Sequence, residues 1–594
     1  MKDNETYLVC TNIRETWPEN KKKSLIFSSE AALDRFPKKD FEYPNFQINN
    51  YHWKNKTHLL KDLKYLDNFY NKVLLSLSKS LNKIHNCNYS EKFWRVLLGP
   101  WLGTLIYMLY DRWRNLETTK KNFKIDKLIK LKIDPSLFIP YEAEDFIKQT
   151  QNDLWNQFIY QSMFTEFFEK EKIEENHLPN YKLEVAKNTF RQNKDAHSFI
   201  KKISFKFFNF INKKKYKYLI FKTYIGAINE LKLSFKFNQF PIFQIEKQNY
   251  ISTKSIDRNL RLQLDNLIDT SNKFENFAVN SLKNLIPKVF LENFEDLKKF
   301  SSNSNLPKNP EKIISANALW YDSFFMYHSA LLMEGKTKLI YAQHGGAYGI
   351  SEYSWPEEHE KQISDKYLSW GWNENQKKSR VKKFFVILKK KNFEWNENKM
   401  TNLLILMRHR KVYFQSPETS AGTELFSDYM KFCNSFFNSL NDDIIKKIVL
   451  RFPYKNLKKD SVDFFSNLDQ FNLDSKDSFE TACNKSKLII NTANSTTFCE
   501  TLTNNIPSIL IINKENNPFR KDAFKALNEL EENKLLFYST KEASNFINKI
   551  WDRDIKNWWS DKKTQNALNI FRNNYARRSS NIIEDYYKEI INDY

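Results

Sequence analysis

Glycine is what this sequence most lacks. Nine of its 594 residues are glycine, about 1.5% against roughly 7% in an average protein. Collagen-like, Gly/Ser-linker and low-complexity chains are excluded at once. Cysteine is also scarce: Cys10, Cys87, Cys433, Cys483 and Cys499 are far apart and odd in number, and no pair has metal-ligand or redox spacing. A reduced, cytoplasmic compartment is the simplest account. Long hydrophobic runs are missing too. The longest, residues 96–110, is shorter than the ~20 residues of a spanning helix and carries Gly99-Pro100, so it reads as a buried helix. The opening residues, MKDNETYLVCTN, lack the basic and apolar regions of a signal peptide.

Aromatic residues are plentiful, at 16% within a hydrophobic content of 41%. That is enough for large cores, which excludes a disordered chain, and the length suggests two to four domains. Lys and Arg outnumber Asp and Glu by 94 to 71, leaving +23. The excess is mostly Lys scattered with Asn, Ile and Phe, a pattern that A+T-rich coding bias also produces. The densest basic stretch, 201–222, interleaves Lys with Phe and Tyr. It reads either as a solvated loop entering a buried strand at 218–221 or as a surface that approaches anionic lipid. No helix-turn-helix, zinc-finger or RNP pattern appears, so nucleic acid is not an expected partner.

Short apolar strands alternate with longer helical segments, which predicts α/β architecture with parallel sheets. Strands are expected at 7–10, 24–27, 218–221, 338–343, 402–407, 447–452, 488–491 and 508–512. Helices are expected at 57–85, 91–116, 316–334, 423–440, 496–503 and 563–590. The charged stretch 373–400 is the best linker candidate. No P-loop and no G-x-G-x-x-G occurs, which weakens ATPase and NAD readings.

Four places could carry chemistry. First, five of the nine glycines fall between Gly335 and Gly371, and an apolar strand runs straight into Gln343-His344-Gly345-Gly346. Paired glycines let a ligand approach the backbone closely, and His344 is suited to proton transfer; a tight turn holding a bonded histidine is the plainer alternative. Second, Glu357-Glu358-His359-Glu360 offers Glu358 and His359 as metal ligands or an acid/base pair, but no second histidine at i+4 completes a zinc motif; a capped polar helix reads equally well. Third, a strand ends in Asn494-Ser495-Thr496-Thr497 before a helix bearing Glu500. Those hydroxyls and helix-start amides suit a phosphate, with Glu500 placed for ribose hydroxyls. An ordinary N-cap needs only one such residue. Fourth, strand ends carry Arg451 and Lys455, and Arg408-His409-Arg410, where cations would meet a diphosphate or acidic sugar.

These residues resemble a family: the bacterial transferases encoded in O-antigen and other surface-polysaccharide loci, which look like GT-B glycosyltransferases. The matching pieces are Glu15-Thr16-Trp17-Pro18; residues 89–101 (YSEKFWRVLLGPW) with Asp111-Arg112; Gln343–Gly349; His359-Glu360, Asp365 and Trp370-Gly371-Trp372; Asn494–Thr497 with Glu500 and Ile506-Pro507; and Trp558-Trp559. More loosely, His-Gly after a strand is similar to CDP-glycerol glycerophosphotransferases and capsule Kdo transferases, although Arg451-Phe452-Pro453 stands where His-Pro is usual.

The resemblance implies two Rossmann-type domains facing a cleft, with extra helices in the first half. Residues 1–390 would form an acceptor-side domain with helical insertions, 391–562 a nucleotide-donor-binding domain, and 563–594 a helix packing back on the first. The donor would be a CMP- or UDP-linked sugar, with a Kdo or nonulosonic type in view, used as substrate with no cofactor and no metal. The acceptor would be a glycan or lipid-linked glycan at the inner membrane surface. Gly345, Gly346, Arg408, Arg451, Lys455, Asn494, Ser495, Thr496, Thr497 and Glu500 would hold the donor. His344 would be the acceptor base, and a retaining route would need a carboxylate from Asp111, Glu15 or Glu358. Two other readings stay open: a sugar-nucleotide epimerase of the same fold, and a non-catalytic basic scaffold or nucleic-acid-binding protein.

Overall fold

The computed structural model describes the chain apart from residues 1–4, 34–35, 37, 183, 186–212, 243–254, 375–378, 388–399, 409–410, 419–424, 454–467, 469, 475, 553–554 and 593–594. Most of the basic 201–222 stretch, much of the charged 373–400 stretch, and His409, Arg410 and Lys455 lie outside the described residues.

Among the described residues the chain is α/β and builds three sheets. The first holds β1 (Thr6–Val9), β2 (Ser24–Phe27), β3 (Phe46–Ile48), β4 (Lys127–Leu131) and β5 (Ile173–Asn176) in the order β3-β2-β1-β4-β5. The second holds β6 (Tyr218–Ile220), β7 (Lys312–Ser315), β8 (Lys338–Ala342), β9 (Lys366–Ser369) and β10 (Val381–Lys383) in the order β10-β9-β8-β7-β6. The third holds β11 (Asn402–Leu406), β12 (Ile448–Arg451), β13 (Asn472–Leu473), β14 (Ser486–Asn491), β15 (Ser508–Ile511) and β16 (Leu536–Phe537) in the order β13-β12-β11-β14-β15-β16. The pairings are parallel throughout. Parallel strands are buried on both faces and so read as unbroken apolar runs; β7 and β9 are buried along their whole length. Two of the three sheets precede residue 390, where the sequence pattern suggested one α/β unit with helical insertions. Sheets one and three start in the middle and grow outward both ways, so each has a switch point, between β1 and β4 and between β11 and β14. Sheet two runs in one direction and has none.

Two helices are about twice as long as any other described one and pack on each other. These are α1 (Lys56–Ile84) and α2 (Glu91–Asn122), capped by Asn55 and Ser90, whose side chains accept from amides of the first turn. The apolar 96–110 run lies inside α2 and is buried, as its composition predicts. No helix among the described residues is long and apolar enough to cross a membrane. Further on come α3 (Asp153–Phe167), α4 (Trp355–Ile363), α5 (Phe426–Phe437) and α6 (Thr496–Thr503). The stretch 563–590, expected as one helix, is two: α7 (Lys562–Tyr575) and α8 (Ile582–Ile591). Between them Arg577 leaves the helix to bond sheet two, its N–H donating to the Trp370 carbonyl (2.9 Å) and its carbonyl accepting from Val386 N–H (2.7 Å).

The scarce glycines explain how α4 reaches the core. A Cβ on Gly103 would fall inside the Trp355 indole, and one on Gly99 inside the His359 imidazole. One bare turn of α2 therefore receives two rings that sit one turn apart on α4. His359 stacks on Trp355 at 5.3 Å and meets the edge of Trp320. It is 2% exposed, and neither ring nitrogen has a hydrogen-bond partner. Burial pushes its imidazole down to about 3, with Arg95 adding to the effect. The unfolded chain therefore binds a proton below about pH 6.5 that the folded chain refuses, and stability falls as pH falls through that window. Replacing His359 with leucine removes this linkage without orphaning a polar group. Between pH 7.5 and 5.5 the wild type should lose about 1.4 kcal/mol more than His359→Leu, measured by urea unfolding at both pH values.

Candidate functional site

In open parallel sheets, ligands sit beyond the carboxyl ends of the strands at a switch point. A cavity of about 370 Å³ lies at that place in sheet three. Its floor comes from the ends of β11 (Leu406, Met407, Arg408), β12 (Arg451, Phe452, Pro453) and the loop after β14 (Ala493, Ser495, Thr496, Thr497). Its opposite wall comes from sheet one: Ser29, Glu30 and Ala31 after β2, Tyr51 after β3, and Asp111, Asn115 and Tyr160 from α2 and α3.

The 412–415 segment after β11 ties the two walls together. Arg112, fully buried on α2, donates to the Phe414 carbonyl at 2.7 Å and to Asn156 Oδ1 at 2.8 Å. Gln151 Nε2 donates to the Tyr413 carbonyl at 3.0 Å, and Tyr413 Oη donates to Asp153 Oδ1 at 2.6 Å. On the far side Glu30 caps α5, accepting from Ser427 N–H at 3.1 Å. Both walls are thus fixed by buried and part-buried, mostly charge-assisted bonds.

Two of the cations expected to meet phosphate, Arg408 and Arg451, line the cavity, and Lys411 joins them. Arg408 stands 4.6 Å over the Tyr429 ring. The Arg451 guanidinium is bonded to Asp474 and to the Asp477 carbonyl (3.1 Å), so part of its charge is already answered. Lys411, which the sequence analysis passed over, sits one residue beyond the undescribed 409–410. Of the carboxylate candidates, only Asp111 borders the cavity. It accepts from Tyr51 Oη (2.8 Å), Arg112 Nη1 (3.0 Å) and Asn115 Nδ2 (3.3 Å). Burial raises its pKa, and the neighbouring Arg112 works against that rise. Glu15 lies after β1 and pairs with Lys182 at 2.6 Å. Glu358 lies on the outer side of α4, paired with Lys361 (2.8 Å) and Arg520 (3.4 Å). Neither borders the cavity.

The β14–α6 turn holds polar groups that the protein leaves unanswered, although Asn494 itself does not border the cavity. Ser495 stands at the N-cap of α6 but its side chain makes no cap bond to the helix amides; its Oγ lies 2.8 Å from Thr497 Oγ1 instead. Asn494 is 3% exposed, and neither amide atom of its side chain has a partner. A buried amide without partners is costly and rare, so such a group marks a place for a ligand or ordered water. Glu500 is one turn inside α6, partly buried, and does not border the cavity.

The QHGG loop after β8 reaches this same turn from sheet two. Gly346 N–H donates to Thr496 Oγ1 at 3.1 Å, and the Gly346 carbonyl lies 3.5 Å from Cys499 Sγ. Gln343, wholly buried, holds the loop: its Oε1 accepts from Trp370 N–H and Trp372 Nε1, both 2.8 Å, and its Nε2 donates to the Gly345 carbonyl at 2.6 Å. His344 next to it has a side chain about one-fifth exposed, with Nδ1 3.3 Å from Glu360 Oε1. Burial pushes the imidazole down to about 4, opposed by the Ala316 carbonyl beside it. Tyr348 lies 5.9 Å from the His344 ring, and burial together with the charges of Glu360 and the cavity-lining Glu418 lifts its phenol well above the usual range.

Glu360 is the residue that sequence reasoning placed in a motif but gave no role. The phase of α4 was the available signal: with Trp355 and His359 turned to α2, Glu357 and Glu360 face inward and Glu358 does not. Glu360 is fully buried and accepts from Trp320 Nε1 (2.8 Å), Tyr367 Oη (3.0 Å) and Tyr348 Oη (3.4 Å). Desolvation raises its pKa well above the carboxylate range.

No curated protein matches this chain. A family model, that of the LIC12162 family transferase, matches residues 6–590 and so takes in all three sheets, the cavity and the QHGG junction. The chain belongs to that family of transferases.

Proposed function

We propose that this transferase moves a sugar from a nucleotide-activated donor to a hydroxyl of a surface-polysaccharide or O-antigen acceptor, as a GT-B-like enzyme. The donor is CMP- or UDP-linked, with an acidic sugar of the Kdo or nonulosonic type. The acceptor is a glycan or lipid-linked glycan met at the inner membrane surface. The observation that carries this reading is the convergence of two strand-end loops on one helix start. The QHGG loop bonds Thr496 through Gly346 N–H (3.1 Å), and Asn494 beside it is buried with both amide atoms unanswered.

In this scheme the α6 amides, Thr496, Thr497 and Asn494 bind the donor phosphates without rearrangement. Arg408, Lys411 and Arg451 offset the remaining charge, and Lys455 belongs with them by its place in the sequence. Asp111, Asn115 and Tyr160 present a hydroxyl-binding surface on the opposite wall, suited to a polyol acceptor. His344 takes the proton of the attacking hydroxyl. Titration calorimetry with CMP, UDP and GDP tests the scheme: at least one should bind with Kd below about 1 mM, and no binding by all three would overturn it.

A further inference from the structure

The carboxyl end of sheet two carries two exposed phenols, Tyr224 after β6 and Tyr321 after β7, and neither borders the cavity. The Tyr224 ring lies 6.1 Å from the His344 ring. Asn317, also after β7, donates a side-chain N–H to the Tyr224 hydroxyl. Both phenols lie within electrostatic reach of the buried Tyr341 on β8. An exposed tyrosine alone is ordinary, but the backbone of Tyr224 is not. Its φ is +66°, where a bulky side chain is strained. Of the seven non-glycine residues with positive φ among the described residues, four are asparagine and two lysine. Tyr224 is the seventh, and the aromatic one. Its neighbours hold the turn in place. The Lys222 carbonyl accepts from Ala316 N–H (3.1 Å), and buried Thr223 donates its N–H and its hydroxyl to Glu230 Oε1 at 2.6 and 2.7 Å. Strain that the surroundings over-determine points to a function for the strained residue.

We propose that Tyr224, with Tyr321 and Asn317, forms an acceptor subsite for a pyranose ring, stacked on the phenol face beside His344. This rests on the reading above that the QHGG junction is the reaction site. The face of an aromatic ring is electron-rich, and the C–H groups of a pyranose are the apolar, weakly positive part of a sugar. The phenol hydroxyls and the Asn317 amide supply partners for sugar hydroxyls. Aromatic surface with a few placed polar groups is how small-ligand sites bind and orient what they hold. The QHGG loop then stands between two sites. On one side Gly346 N–H donates to the cavity-lining Thr496 (3.1 Å), and on the other the His344 ring neighbours Tyr224. A donor in the cavity and a sugar on Tyr224 meet at that loop. The subsite adds to the Asp111 wall of the scheme above and does not replace it.

Saturation-transfer NMR with methyl glucopyranoside, methyl galactopyranoside, methyl mannopyranoside and N-acetylglucosamine tests this without turnover. At least one sugar should show transfer to its ring C–H protons in the wild type, and added CMP or UDP should leave that signal in place. Tyr224→Ala should cut the transfer at least about fivefold, and Tyr224→Phe, which keeps the stacking ring, should hold it within about twofold of wild type. Tyr224→Gly separates a subsite from a structural role. Glycine takes positive φ without strain, so this variant should melt at or above the wild-type temperature while losing the transfer. No transfer to any of the four sugars, a signal abolished by CMP or UDP, or a signal that Tyr224→Ala leaves intact overturns the proposal. So does a Tyr224→Gly variant that melts several degrees lower. Failure of the wild type to bind any nucleotide would instead sink the functional scheme and leave the sugar result standing. If Tyr224→Ala does not fold, Tyr321→Ala replaces it, with the same loss expected and an unchanged signal overturning the proposal.

Discussion

Gly346→Ala is expected to lower transfer at least 100-fold and to weaken nucleotide binding about tenfold or more, in a protein that still folds. The added Cβ would lie 2.5 Å from Thr496 N and 2.6 Å from the Ser495 carbonyl carbon and oxygen. These are backbone atoms, so no rotamer change relieves the contact. Neither side can retreat easily. The β8 end is pinned by Gln343 to Trp370 and Trp372, and α6 packs Phe498 and Cys499 fully into the core. Overpacking of this kind costs roughly 1–3 kcal/mol, which a chain of this size survives. The functional cost is larger, because the Gly346–Thr496 bond sets the spacing between His344 and the helix start. A misplacement of about 1 Å at a reacting centre costs on the order of 100-fold. Gly345→Ala is the comparison: its Cβ would meet only the Tyr348 ring, at 3.2 Å, and a side chain can give way. Its loss should be at least tenfold smaller. Calorimetry with the nucleotide that binds, together with thermal melts, separates the two effects, and equal losses from both glycines would refute the argument.

How much of this could be read from the sequence differs from place to place. The β14–loop–α6 unit was legible because a long apolar run, a polar turn and a helix start follow one another there; α6 begins and ends where its pattern says, Thr496–Thr503. The QHGG loop was legible from composition, since glycine is spent so rarely elsewhere. Sheet one was largely hidden. Its strands β3, β4 and β5 are three to five residues long, and the last two carry charge, Lys127-Leu128-Ile129-Lys130-Leu131 and Ile173-Glu174-Glu175-Asn176. Their pairing to β1 and to each other is tertiary, so no local pattern announces it. The break between α7 and α8 did leave a trace, because Asn581 caps α8 by accepting from Glu584 N–H. The identity of the carboxyl beside His344 was hidden for another reason. Glu357, Glu358 and Glu360 are chemically alike, and only the insertion of Trp355 and His359 against Gly103 and Gly99 fixes the phase that turns Glu360 inward. Asn494 gave no signal of its state at all, since lacking a partner is a property of its neighbours.

His344→Ala should lower kcat by about 10²–10⁴, the range for losing a positioned base, while nucleotide Kd changes less than threefold. The two measurements part because the two tasks are assigned to different sheets. In the proposed scheme phosphate recognition falls to the α6 start, Asn494 and the cations Arg408 and Lys411 of sheet three, and the proton to a residue carried by β8 of sheet two. The QHGG backbone that touches Thr496 does so through Gly346 N–H, which an alanine at 344 leaves in place. Gln343 keeps the strand end where it is. Stability should fall by no more than about 1.5 kcal/mol, the size of one hydrogen bond, since the His344 side chain is about one-fifth exposed and its ring bonds the Ala316 carbonyl. The single-turnover rate and the calorimetric Kd, taken on the same preparation, decide it. A variant that loses rate and affinity together would make His344 part of the donor site. A variant that keeps its rate would remove it from the chemistry and return the base to the opposite wall, where Asp111 is the buried carboxyl that borders the cavity.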